Sequence, residues 1–243
     1  MKLPEKEEKA HRESFRKMNA AEKADYIISY YKLPIVLILI AAIIFGSILH
    51  RKLTVKEPLV YLGIVNVAIG EDLMGELTDG YLTAAGANPR KQTVEVYGDL
   101  YLSNDADTLN HQYAYASRMK VLGSINAEQF DLVFMNREAY DIFSGSGFLM
   151  ELKDAGIPAD LYAVLEPYLK SNEVIVKDNS IDYQLGEAES LEIETKESVN
   201  AILLNEFERF RKAGFPDDVY AGVIANTPRL EGVFSYLSYL AES

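Results

Sequence analysis

The chain has no cysteine among its 243 residues. Disulfides, Cys-ligated zinc, thiol catalysis and a lipoprotein anchor are excluded together. Histidine is scarce. His11, His50 and His111 form neither HExxH nor any other ligand spacing. No P-loop and no GxGxxG occurs. Gly145-Ser146-Gly147 lacks nucleophile-elbow spacing and reads as a turn. Ser117-x-x-Lys120 matches a serine–lysine acylase tetrad in form, but no Ser-Asp-Asn or Lys-Thr-Gly partner accompanies it. His111 beside Asp107 reads as an i, i+4 pair on one helix. Asp105 and Asp107 lack the Gly and terminal Glu of a calcium loop. No catalytic residue, metal or cofactor is therefore expected, and the chain reads as a non-enzyme.

Cations are also missing where they would matter for nucleic acid. Between Lys56 and Arg90 there is none. Residues 57–243 carry thirteen cations against thirty-one acids, a net −18. Nothing there would neutralise phosphates, so nucleic acid is excluded as a partner, and an anionic surface is disfavoured.

What the chain does have is one long apolar run. Leu33 to Leu49 reads LPIVLILIAAIIFGSIL, without a charge. As a helix, seventeen residues rise about 25 Å, the short end of what crosses a hydrocarbon core. Tyr26, Tyr30 and Tyr31 precede it, and His50, Arg51 and Lys52 close it, as boundary aromatics and cations do. Residues 1–32 hold eight Lys and Arg; the other flank holds Arg51, Lys52 and Lys56. The positive-inside rule predicts a cytoplasmic N-terminus and an extracellular C-terminal domain on a single-pass plasma-membrane anchor. A cleaved signal peptide fits poorly, because the charged stretch before the run is too long and no Ala-x-Ala site follows.

This divides the chain into a charged, amphipathic cytoplasmic tail (1–32), a transmembrane helix (33–50) contacting the lipid bilayer, a tether (51–58) and an extracellular domain (59–243). In the tail, Phe15, Met18, Ala21, Tyr26, Ile27 and Tyr30 recur at helical spacing over 5–31. The run EKADYIISYYKLPIVLILI resembles the opening of bacterial single-span proteins, which implies topology only.

The domain follows an alternating rhythm. Strands are expected over 59–69, 92–102 and 130–135, and helices over 71–85, 105–122 and 137–143, with Asp105 or Asp107 capping the second helix. Strand–helix–strand–helix–strand at these lengths predicts a mostly parallel sheet. Residues 153–218 form a polar inserted subregion. It opens with a short helix over 160–169, and 173–205 reads as a small antiparallel excursion returning to the sheet. A helix over 206–212, a strand over 219–226 and a final helix opened by Pro228 follow. The fold class is α/β: one transmembrane helix, then a single α/β domain.

Three stretches resemble one lobe of a type II extracellular solute-binding protein, the kind associated with ABC importers. The first is INAEQFDLVFMNREAYDIFSGSGFLMEL, through Asp131, Val133, Phe134, Gly147, Leu149 and Leu152. The second is the strand Tyr61 to Val67, and the third is VIANTPRLEGVFSYLSYL. The resemblance covers 59–152 and 219–240 and implies a single periplasmic-binding-protein-like lobe. Residues 153–218 are too few for a second lobe, so two-lobe closure on a ligand is not expected. In that family ligands sit at the carboxyl ends of the strands, and open α/β sheets in general use the same edge. The expected edge residues are Asn66, Glu71, Asp72, Tyr101, Ser103, Asn104, Asn136, Arg137, Asn226 and Thr227. Alternatively these are polar residues capping helices beside a sheet.

Glu187, Glu189, Glu192, Glu194 and Glu197 form an acidic run, read as a solvated hairpin face, with calcium or a basic partner as alternatives. The sixteen Tyr are core residues by default, some of them surface anchors for a protein partner. The function expected is a membrane-anchored extracellular binding or scaffold protein, an accessory subunit of a surface complex or transporter with a protein partner in the membrane. The alternative is a small-molecule receptor using the carboxyl sheet edge. An enzyme ranks third.

Overall fold

The computed structural model describes residues 18–20, 22–23, 32–54, 56–104, 111–185 and 190–242. Most of the helix expected over 5–31 lies outside these residues, as do Asp105, Asp107, Glu187 and Glu189. The chain forms two compact units, Met1–Val55 and Lys56–Ser243.

The first unit is dominated by helix α1, Lys32–Thr54, of 23 residues. Among the described residues no helix is long and apolar enough to cross a membrane. Upstream, Asn19 and Glu22 close a reciprocal capping box: the backbone N–H of each donates to the other's side chain, both at 2.9 Å.

The second unit is an α/β domain on one six-stranded mixed sheet. Strand β1 (Glu57–Val65) is followed by a helical stretch, α2. This begins as α-helix (Glu71–Gly75), widens to a π-turn (Glu76–Gly80) and closes as α-helix (Tyr81–Ala84). Then come β2 (Gln92–Leu100), α3 (His111–Asn126), β3 (Leu132–Met135) and α4 (Arg137–Gly145). Helix α5 (Ala159–Leu165) and a 3₁₀ turn lead into β4 (Leu169–Asp178), α6 (Ser180–Leu185) and β5 (Ile193–Leu203). The chain ends with α7 (Glu208–Ala213), β6 (Tyr220–Val223) and α8 (Leu230–Ala241).

The spatial order is β2-β1-β3-β6-β5-β4. Strand β1 pairs in parallel with β2 and β3, while β3–β6, β6–β5 and β5–β4 are antiparallel. The sheet is thus parallel at one end only. The antiparallel part is half the sheet rather than the small excursion expected. The cause lies in the connections. Parallel neighbours need a crossover over the sheet face, and 66–91 and 101–131 provide one each. After β3 the chain builds the β4–β5 hairpin, and β6 returns beside β5 through the short stretch 204–219, which reverses its direction.

Alternation along the strands separates two cores. Leu62, Ile64, Leu132 and Phe134 face one side, with Leu77, Tyr81, Phe210, Tyr236 and Leu237. Val65, Val133 and Met135 face the other, with Val121, Ile125, Tyr140 and Phe143. A sheet buried on both faces explains the near-continuous apolar character of β1 and β3.

Candidate functional site

The carboxyl ends of β1, β2 and β3 share one edge, and three open clefts run along it. The first, about 650 Å³, lies between Gly70, Glu71, Asp72 and Glu76 on α2 and Arg209, Lys212, Phe215 and Pro216 around α7. The second, about 760 Å³, lies between Asn136, Arg137, Glu138 and Asp141 on α4 and Asp217, Asp218 and Tyr220 before and within β6. The third, about 480 Å³, is lined by Asn104, Arg118, Asp141, Ser146, Ile175 and Asp178. Pro216 borders the first and second, and Asp141 the second and third, so neighbouring clefts share a wall.

Most of the expected edge residues do come together here, but many already have partners. Asn66, with φ at 57°, donates from Nδ2 to the Leu102 carbonyl at 2.6 Å and accepts from the Leu102 N–H at 2.8 Å. It therefore pairs with the chain beyond β2 as a backbone unit would. Asn136 caps α4, its Oδ1 accepting from the Ala139 N–H at 3.0 Å. Ser103 donates to Glu138 at 2.6 Å, and Arg118 donates to Asn104 Oδ1 at 3.0 Å. Glu71 and Asp72 stand exposed in the first turn of α2, and Tyr101 is half-buried.

Asn226 and Thr227 are not at this edge. Strand β6 runs against β3, with Met135 opposite Tyr220 and Leu132 opposite Val223. Its carboxyl end therefore lies at the amino end of β3. There Asn226 donates to the Ile125 carbonyl at 2.8 Å and Thr227 donates to the buried carboxylate of Asp131. Assigning them to the carboxyl edge assumed a parallel final strand. The residues that take their place are Asp217, Asp218 and Tyr220, at the amino end of β6. The acidic turn Pro216-Asp217-Asp218 before an apolar run was visible in the sequence, and only the strand direction hid its location.

Around Arg137 the edge is a small ion and ring cluster. Its Nε lies 3.0 Å from Asp141 Oδ1, and its guanidinium sits 5.4 Å from the centre of the Tyr140 ring. Asp141 also accepts from Asn172 Nδ2 at 2.7 Å. The hydrogen bond to Asp141 raises the Arg137 pKa, with Tyr220 adding to the rise. Tyr220 stacks on Tyr140 at 4.8 Å between ring centroids and donates to Asp218 at 3.2 Å. Burial raises the Tyr220 pKa; the Arg137 side chain opposes the rise and Asp218 adds to it.

Behind this surface a buried relay ties α4 to the hairpin. Tyr140 donates to Asn200 Oδ1, Asn200 Nδ2 donates to Ser144, and Ser144 donates to the Glu173 carbonyl, each at 2.8 Å. Burial raises the Tyr140 pKa. All three side chains are fully buried, so each link satisfies a group that would otherwise be costly.

Of the Ser-x-x-Lys pair, Ser117 is 4% exposed on α3 and Lys120 reaches over the Tyr97 ring at 5.8 Å. Among the described residues no group of three or more His, Asp or Glu could hold a metal ion. No family model, no curated protein and no solved structure matches the chain.

Proposed function

We propose that this chain is a membrane-anchored extracellular binding or scaffold protein, an accessory subunit of a surface complex or transporter. The observation that carries the reading is helix α1. Its apolar side chains are exposed on every side, with Leu33 at 72% and Ile43 and Phe45 at 70%. A core helix buries one stripe, whereas a helix apolar all round needs lipid or a protein interior. Continued through Leu49 and His50, the run reaches the lower limit of a span. The eight cations ahead of it then keep the N-terminus cytoplasmic and place the acidic domain outside. The resemblance to one solute-binding lobe is consistent with work beside a transporter.

The test is topology in whole cells. Full-length protein should stay in the membrane pellet through alkaline carbonate. External protease should digest the domain and spare the tail. Release by carbonate, or digestion of the tail alone, overturns the reading. A partner should co-purify at fixed stoichiometry from mild detergent.

A second reading is a small-molecule receptor. It is favoured by the first two clefts, whose volumes fall within the ~300–1,000 Å³ of ligand sites. A thermal-shift screen with sugars, amino acids and peptides separates the two, since only a receptor gains several degrees from a small solute.

A further inference from the structure

The outer half of the β4–β5 hairpin stands clear of both cores. Every position from Ile175 to Asp178 and from Ile193 to Glu197 is exposed, and burial on β5 begins only at Ser198. Ile175, Val176, Ile181, Leu185, Leu191 and Ile193 are exposed by 42% to 69% on this one arm. Among the described residues the domain's other exposed large apolar side chains number four, three of them together on α3. A concentration of this kind marks an interaction surface rather than ordinary scatter.

Charge selects the occupant. Among the described side chains of 172–197, five exposed carboxylates (Glu173, Asp178, Glu192, Glu194 and Glu197) stand against two lysines. One of those, Lys177, is already paired with Glu192 at 2.6 Å and Glu194 at 3.4 Å. A second copy of the arm would bring excess negative charge against its like, and an anionic lipid surface would do the same. A segment with an apolar face and flanking cations satisfies both features at once. We infer that this arm is the docking surface for a basic, amphipathic segment of a protein partner. This rests on the reading above, in which the domain binds protein, and adds where it does so and what chemistry it meets.

The test uses the full chain in a neutral maltoside detergent and an amphipathic leucine–lysine peptide of about eighteen residues bearing one photoactivatable leucine. A leucine–glutamate peptide of the same pattern is the control. Cross-links to the leucine–lysine peptide should map to 175–193, with none from the control. Replacing Ile181→Ser with Leu185→Ser should lower the yield about tenfold, and Glu173→Lys about threefold, with melting curves unchanged. Cross-links scattered over the domain, equal yields from the variants, or equal capture of the acidic peptide overturn the inference. If the Ile181→Ser/Leu185→Ser chain keeps a stoichiometric membrane partner, the arm is not the docking surface and the scaffold reading stands. Wild-type chain without any partner overturns the scaffold reading itself.

Discussion

Arg229 Nε lies 2.8 Å from Oδ2 of Asp131, a carboxylate with no exposed surface. The same oxygen accepts from the Tyr61 N–H at 2.7 Å, and the other accepts from Thr227. The guanidinium also covers the Tyr61 ring at 4.6 Å and donates to the Glu128 carbonyl. One carboxylate therefore joins β1, β3 and the turn into α8, at the edge opposite the clefts. Arg229→Met leaves that charge buried without its cation. We expect a loss of about 3–5 kcal/mol in urea unfolding. A loss below about 1 kcal/mol would mean that the backbone and Thr227 donors suffice by themselves.

Tyr236 and Tyr239 on α8 serve the π-turn of α2. The Tyr236 hydroxyl donates to the Leu77 carbonyl and the Tyr239 hydroxyl to the Glu76 carbonyl, each at 2.8 Å; the Glu76 carbonyl also accepts from the Tyr81 N–H that closes the π-turn. Tyr236→Phe keeps the ring packing and orphans the buried Leu77 carbonyl. The expected loss is about 1–3 kcal/mol. Tyr239→Phe, at a partly exposed site, should lose less. Equal effects from the two, read from chemical denaturation, would contradict this division.

The first half of the domain was legible in the sequence. Apolar runs alternating with helical spacing place β1, α2, β2, β3 and α4 within a few residues of their observed bounds, because each buries one face or both; α3 runs four residues past its expected end, to Asn126, and its expected start lies outside the described residues. The polar hairpin was also legible as antiparallel, since its outer strands bury neither face. Strand direction in the second half was not. Residues 219–226 look the same whether β6 runs with β3 or against it, and that single choice moved Asn226 and Thr227 to the far edge. Nor could spacing reveal that Asn66 would be consumed by Leu102, or that Tyr140 would reach Asn200, sixty positions away. Those pairings depend on how the layers stack.

Buried tyrosines should set the alkaline limit of stability. Burial raises Tyr236 well above its ordinary value of 10.0, with Tyr239 and Tyr81 adding to the shift; burial raises Tyr140, Tyr220 and Tyr97 as well. A folded-state pKa above the unfolded one means that the unfolded chain releases protons first. The stability these hydroxyls contribute is present in full below about pH 10 and is lost as pH rises beyond it. Urea midpoints should be level from pH 8 to 9.5 and decline from about pH 10 upward. Tyr236→Phe should flatten part of that decline. A midpoint that holds through pH 11 would show that these hydroxyls ionise alike in both states.

Two glycines should respond in opposite directions to the same change. Gly232, in α8, packs against β1, and a Cβ there would come within 2.5 Å of the Leu59 carbonyl oxygen. That neighbour is backbone in a paired strand and cannot swing aside, so Gly232→Ala should force α8 outward and cost about 1–3 kcal/mol or more. Gly123 sits exposed inside α3 with nothing within 4 Å of its added carbon. Gly123→Ala meets no obstacle and removes unfolded-state freedom, so it should stabilise by about 0.5–1 kcal/mol. Thermal melts of the two variants beside wild type decide the matter. If Gly232→Ala melts at or above the wild-type temperature, α8 does not press on β1 as closely as its glycine implies, and the hydrogen bonds from Tyr236 and Tyr239 to the π-turn lose the support that fixes them.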